Sequence, residues 1–173
     1  MSRTRSRTPS TQALCYLVPM KLLVTLLLAA GFALPAEDPA GFHQWKGADL
    51  KAVAATLAPK LGTSQYTGES YGKAETYSFT VNLRRVSGGS EIHKKWTDVF
   101  VIQSGEATLV VGGGIPDMKE NRPGEFGGKA IEGGVEKTLG PGDIVVIPAG
   151  TPHQLKLAPG QEIAMMVIKI ATP

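Results

Sequence analysis

Hydrophobic and polar residues alternate along much of the chain after residue 76. Phe79, Val81 and Leu83 are separated by single polar residues, and this period of two predicts a β-strand. The same reasoning predicts six further β-segments, at residues 98–103, 106–111, 129–139, 143–147, 153–157 and 162–170. Glycine and proline turns separate these segments, which is typical of an antiparallel sandwich or barrel. We therefore predict an all-β domain over residues 76–173.

The predicted core consists of apolar residues on the inner faces of these strands. They are Phe79, Val81, Leu83, Phe100, Ile102, Leu109, Val145, Ile147, Leu155 and Val167. Gly105 and Gly150 are expected at tight turns that need their backbone freedom. Residues 112–128 form a long glycine-rich connection, which we interpret either as a functional lid or as a solvated excursion.

A different period precedes the strands. Leu50, Val53 and Leu57 recur at intervals of three and four residues, which predicts a short amphipathic helix over residues 48–61. The helix belongs to an N-terminal extension, residues 37–75. The sequence leaves open whether the helix packs on the outside of the barrel or extends a dimer contact.

The first 36 residues are typical of a secretory signal peptide. Residues 22–34 are almost entirely apolar but fall short of the roughly 20 residues that cross a bilayer. Lys21 supplies a positive flank, and we expect cleavage after Ala33 or Ala36. A start at Met20 would also give a complete signal, and an uncleaved N-terminal anchor is the alternative. We expect a secreted or periplasmic protein that leaves the membrane once the signal is cleaved.

The leader also explains the positive net charge. The whole chain has 18 basic and 15 acidic residues, a net charge of +3. Four of the basic residues and none of the acidic ones lie in the leader, so the rest has 14 basic and 15 acidic residues, a net charge of −1. This balance removes the main electrostatic argument for a nucleic-acid partner. The one cysteine, Cys15, is also in the leader, so the mature chain has no disulfide and no thiol chemistry.

Two segments carry candidate chemistry. Glu91 and His93 lie two positions apart, so both side chains point to one face of a strand, and Asp98 joins them from the next strand. His153 begins an alternating apolar run and is therefore expected to face the interior. Two imidazoles with one or two carboxylates on one surface form a divalent-metal site, suited to Fe, Mn, Zn, Ni or Cu.

These segments resemble the two motifs of the cupin family. The second motif, Gly-x5-Pro-x-Gly-x2-His, matches from Gly142 through His153, although Leu157 stands where the family usually has its closing Asn. The resemblance covers about residues 77–170. It implies a jelly-roll β-barrel with an interior site and frequent homodimers.

The first cupin motif is altered in this chain. The spacing of the family pattern is kept, but Glu91 replaces the first His and Asp98 replaces the Glu, while His93 and Gly105 match. By resemblance, His93, Asp98 and His153, together with Glu91, hold the metal. Their plainer alternatives are a surface position for His93, hydrogen bonding inside the barrel for His153, and a salt bridge from Asp98 to a neighbouring lysine.

Three hypotheses follow for the function. The first is an exported, metal-dependent cupin enzyme acting on a small oxygenated molecule, with dioxygenase, isomerase and decarboxylase chemistry all compatible. The second is a cupin that binds a small ligand without turnover, which the altered first motif favours. The third is a structural module whose polar cluster is vestigial.

Overall fold

Two antiparallel sheets make up most of the regular secondary structure. The computed structural model describes residues 38–173, so the predicted signal peptide and its cleavage site lie outside the described residues. All of the regular elements belong to one compact unit, Gln44–Pro173. Within it lie helix α1 (Gly47–Leu57), a 3-10 turn (Ala58–Lys60) and strands β1 (Tyr66–Lys73), β2 (Tyr77–Arg84), β3 (Ser90–His93), β4 (Trp96–Gly105), β5 (Ala107–Val111), β6 (Lys119–Arg122), β7 (Glu125–Gly128), β8 (Val135–Leu139), β9 (Ile144–Ile147), β10 (His153–Lys156) and β11 (Ile163–Ala171).

In both sheets, strands that are far apart in the sequence are hydrogen-bonded neighbours. The five-stranded sheet runs β1-β2-β11-β4-β9, and the six-stranded sheet runs β6-β7-β3-β10-β5-β8. One apolar cluster draws residues from both sheets, including Phe100 and Met165 from the first and Leu109 and Leu155 from the second. The predicted all-β jelly-roll architecture, with one short helix, is therefore confirmed.

Helix α1 lies against the outer face of the five-stranded sheet. Its periodic residues Leu50, Val53 and Leu57 are buried, as the helical period predicted. The α-helix ends at Leu57 and tightens into the 3-10 turn, where Pro59 has no N–H to continue the α-helical hydrogen bonds. The helix therefore packs on the barrel exterior, which was one of the two placements left open.

One part of the predicted core was assigned to the wrong face. Phe79, Val81 and Leu83 are buried, but they pack with helix α1 in a second apolar cluster outside the barrel. The opposite face of β2, which carries Asn82, therefore points into the barrel. Alternation predicted which residues share a face, but both faces of β2 are covered, so the apolar face need not be the inner one.

Three strands were not predicted. Strand β1 pairs with β2 along its whole length, so the sheet begins at Tyr66 rather than near Tyr77. Strands β6 and β7 form a hairpin within residues 112–128, which is therefore not a free excursion. The segment 129–139 is a strand only from Val135 onward. Its first part lies on the outer face of the six-stranded sheet, where Ile131 packs with Ile115 and Val110.

The glycine turns are where the sequence predicted them. Gly105 has φ of 78°, and a Cβ there would lie 1.8 Å from the carbonyl oxygen of Glu162. Gly150 has φ of 80°, and its N–H donates to the carbonyl oxygen of His93 at 2.9 Å. Gly150 thus ties the turn before β10 to the end of β3. No helix in residues 38–173 is long and apolar enough to cross a membrane.

Candidate metal centre

Two histidines meet inside the barrel although they lie far apart in the chain. His93 ends β3 and His153 begins β10, and these neighbouring antiparallel strands place His153 opposite Glu91. The two imidazole centroids are 5.3 Å apart. Asp98 reaches the same point from β4 in the other sheet, and its side chain is almost completely buried.

The two carboxylates face the same nitrogen atom of each imidazole. Glu91 Oε2 lies 3.5 Å from His93 Nε2 and 3.8 Å from His153 Nε2. Asp98 Oδ2 lies 3.5 Å and 3.6 Å from the same two nitrogens. These separations exceed normal hydrogen-bond lengths. They are close to the separation of about 3.4 Å between the ligands of a tetrahedral ion with bonds of about 2.1 Å.

The tautomer of each histidine is determined by a second contact. His153 Nδ1 lies 3.1 Å from the carbonyl oxygen of Thr151, and His93 Nδ1 contacts a carboxylate oxygen of Glu125. Because a carbonyl or a carboxylate oxygen only accepts, Nδ1 must carry the proton in both rings. The lone pair of each neutral ring is therefore on Nε2, and both Nε2 atoms are buried with no hydrogen-bond partner among residues 38–173. Metal-binding histidines are held in this way.

The donor atoms of this cluster fit a divalent cation. Two buried, unpartnered nitrogen lone pairs carry a free-energy cost that a metal ion would remove. Donor atoms of Glu91, His93 and His153 lie within 4.8 Å of one another, so this group can hold a metal ion. Glu91 lies at the open side of the group, with about half of its side chain exposed.

Lys169 is the cation that pairs with Asp98. Its Nζ lies 2.8 Å and 3.1 Å from the two carboxylate oxygens, and the two residues are directly opposite in the β4–β11 ladder. The alternative considered for Asp98, a salt bridge to the neighbouring Lys94 or Lys95, is thus replaced by a salt bridge to a distant lysine. Lys94 instead lies over the ring of Phe126. One carboxylate oxygen of Asp98 thus faces both imidazoles while its ammonium partner neutralises part of its charge.

Glu125 is one of the residues of this site that sequence reasoning missed. It begins β7, opposite His93 in the β3–β7 ladder. The segment that contains it has many glycines and no regular alternation, so no local pattern indicated a strand. A paired carboxylate near the motif histidine can be recognised only once the hairpin is known.

Comparison with known proteins shows a likeness in fold to solved structures. No protein-family model and no curated protein matches the chain. Among solved structures, BH2720 from Bacillus halodurans is 12% identical with a TM-score of 0.50, covering 80% of this chain and 88% of that one. A double-stranded β-helix protein from Klebsiella pneumoniae is 14% identical, with a TM-score of 0.47 and coverage of 63% and 79%. The cupin domain of Schizosaccharomyces pombe Cnp3 is 12% identical, with a TM-score of 0.48 and coverage of 62% and 66%.

These structures are similar to the chain in fold. Identities this low show the fold alone, and they assign no family, no ligand and no reaction to this chain. Its four candidate ligands, Glu91, His93, Asp98 and His153, are brought together as the two motifs predicted. Their role as metal ligands remains a proposal.

Burial and nearby charges have opposite effects on the pKa values of the two histidines. Burial lowers the pKa of His93, but the carboxylates of Glu91, Asp98 and Glu125 outweigh it and the net pKa is raised. Burial also lowers the pKa of His153, and there the neighbouring groups do not compensate, so the net pKa is lowered. Contact with His93 lowers the pKa of Glu91. A cation here would compete with a proton on His93.

The candidate centre opens into a cavity of about 350 Å³. His93, Asp98 and His153 contribute polar surface to its wall, and Phe100 and Val167 from the barrel core contribute apolar surface. The inward-facing side of β2 contributes Asn82 and Arg84. The volume and the mixture of apolar and polar lining are those of a site for a small molecule.

Proposed function

We propose that the chain belongs to the cupin superfamily, that it binds a divalent cation through His93, His153, Asp98 and Glu91, and that it acts on a small oxygenated molecule in the adjoining cavity. The supporting observation is the pair of buried Nε2 atoms, which have no hydrogen-bond partner and face two carboxylates. Imidazole and carboxylate ligands suit Fe, Mn, Zn, Ni or Cu.

The chain's own residues prepare the site. Glu125 and the Thr151 carbonyl hold the two imidazoles with Nε2 directed inward. Lys169 holds the Asp98 carboxylate in place through two short contacts. A bound divalent ion would supply Lewis acidity, polarising an oxygen of the substrate or activating water or dioxygen. Burial of His93, Asp98 and His153 limits the access of water to their ligand atoms.

A second candidate function, ligand binding without turnover, rests on a specific observation. Within the described residues, each carboxylate that lines the cavity already contacts a histidine or a lysine. Each of these carboxylates is therefore already engaged, and none is available as a general base. Binding without turnover predicts that a ligand raises the melting temperature of the protein and is recovered unchanged.

Export is also part of the proposal. The signal-peptide pattern of residues 1–36 supports it, and we infer a secreted or periplasmic mature protein. N-terminal sequencing of the protein recovered outside the cytoplasm tests this. The expected first residue is Leu34 or Glu37, and an intact leader on all of the protein would contradict the proposal.

Metal analysis of the purified protein tests the main proposal. We expect close to one divalent ion per chain, lost in His93→Ala and in His153→Ala. The exposed His43 lies outside the cluster, so His43→Ala is the matched control and should keep the ion. Substoichiometric metal that neither cluster variant changes would refute the proposal.

A further inference from the structure

The inner face of strand β2 is polar, although most of the barrel core is apolar. Phe79, Val81 and Leu83 occupy its outer face beneath the helix. Asn82 and Arg84 occupy the opposite face and line the same cavity as the candidate metal centre. The cavity therefore has two chemically distinct regions, the His and carboxylate cluster and the Arg84 region.

Arg84 is a cation with no counter-ion in the part of the chain that the structure describes. Among residues 38–173 no carboxylate forms an ion pair with it, and its Nε is buried with no hydrogen-bond partner. Its guanidinium carbon lies 4.8 Å above the ring of Tyr66, which orients the group without neutralising it. An arginine remains charged in proteins, so an unpaired buried N–H must be compensated by another group.

The backbone leaves room for this guanidinium. A Cβ on Gly88 would lie 2.4 Å from Nη1 of Arg84, so only glycine at this position allows the observed side-chain conformation. Gly88 has no positive φ, so its backbone would accept an alanine without strain. The position of the guanidinium can therefore be disturbed without removing its charge.

The charge balance of the cavity indicates what Arg84 binds. Glu91, Asp98 and Glu125 are all engaged by histidine or by Lys169, so none is available to Arg84. A divalent cation at the cluster would add two further positive charges. The cavity therefore favours an anion, and the planar fork of a guanidinium matches a carboxylate through two parallel hydrogen bonds.

We propose that the small molecule bound by this cupin carries a carboxylate that pairs with Arg84, while another part of it reaches the metal cluster. This inference deepens the proposed function. It rests on that function only for the contact between the molecule and the metal cluster. It names the substrate class as small carboxylic acids. Arg84 is then a specificity-determining residue for the ligand.

A series of aliphatic dicarboxylates tests the proposal. Malonate, succinate and glutarate are titrated into the purified protein by calorimetry, with the matching uncharged diamides as controls and inorganic phosphate as a competing anion. We expect at least one dicarboxylate to bind and its diamide not to bind. Arg84→Gln should weaken that binding about ten- to a hundredfold, the loss expected for a charge-assisted hydrogen bond.

Two further variants separate recognition from folding. Arg84→Lys keeps the charge but not the planar fork, so it should bind more weakly than the native protein and more tightly than Arg84→Gln. Gly88→Ala keeps the arginine but displaces its guanidinium, so it should also bind more weakly. Melting curves of the free variants, and their metal content, should match those of the native protein.

The outcomes distinguish this inference from the proposed function. Unchanged dicarboxylate affinity in Arg84→Gln, or no binding of any dicarboxylate, would overturn the inference while a bound metal left the proposed function standing. Phosphate binding more tightly than every carboxylate would overturn the choice of carboxylate. Arg84-dependent binding in a protein that takes up no metal would support the inference and refute the metal-dependent function.

Discussion

Replacing Glu125 with glutamine would remove one negative charge beside His93 while leaving an oxygen that can still accept from Nδ1. The native carboxylate contacts Nδ1 of His93 and therefore makes the opposite nitrogen, Nε2, a more basic ligand. In the variant, the ring orientation can survive but the added basicity is lost. We therefore expect weaker metal binding with little change in fold.

The exposure of Glu125 determines how large a loss of metal affinity we expect. Loss of such an outer contact typically weakens metal affinity by about 10–100-fold. The side chain of Glu125 is 32% exposed, so water screens part of its charge. We expect a loss near the lower limit, about tenfold, which corresponds to about 1.4 kcal/mol of binding free energy.

Competition with a chromogenic chelator measures the affinity for Zn²⁺ or Mn²⁺ in both proteins. Glu136→Gln is the matched control, because Glu136 pairs with Lys156 on the surface and its side chain is 63% exposed. The control should change the affinity less than about twofold. Equal affinities for native protein and Glu125→Gln would show that Glu125 does not support a ligand, and the argument from tautomers would then be wrong for His93.

Further predictions concern the fold and the pH dependence. Leu57→Ala should lower the free energy of unfolding by about 2–5 kcal/mol in urea titrations, because Leu57 is fully buried between the helix and the sheet, whereas Lys51→Ala on the same helix should have little effect. Gly105→Ala should destabilise more than Gly150→Ala, since both have positive φ but only a Cβ at residue 105 meets a backbone carbonyl oxygen, and equal losses would contradict this. Metal affinity should fall as the pH is lowered, and the fall should begin at a higher pH than for an unperturbed histidine, because the raised pKa of His93 favours the proton that a metal must displace. A flat profile would exclude His93 as a ligand.

The sequence was most informative where local patterns determine the structure. Alternating residues identified strands that became β2, β4, β5, β9, β10 and β11, and the helical period identified α1. The segment Gly142–His153, which resembles a cupin motif, correctly indicated that His153 begins a strand, β10, and faces the interior of the barrel. These features depend on neighbouring residues and on turn chemistry, which are visible in one sequence.

The missing parts depend on contacts between distant residues. Lys169 pairs with Asp98 because β11 lies beside β4, a pairing across 71 positions of sequence. Glu125 reaches His93 through a hairpin whose glycines hide the strand pattern. Strand β1 contains Gly68 and Gly72, which weaken the strand signal in the same way.

The apolar face of β2 shows a further limit. Val81 and its neighbours alternate as a buried strand should, but alternation does not say which covered face is the barrel interior. The helix covers that apolar face, so the polar side of the strand lines the cavity. This reversal places Arg84 in the cavity, and no pattern along the chain indicated it.

Anomalous X-ray diffraction from crystals grown with Zn²⁺, or with the ion that metal analysis identifies, tests the central claim most directly. The predicted result is one strong anomalous peak per chain, within about 2.0–2.2 Å of Nε2 of both His93 and His153 and of at least one oxygen of Asp98 or Glu91. A peak bound to other residues, or no peak between the two imidazoles at saturating metal, would contradict it.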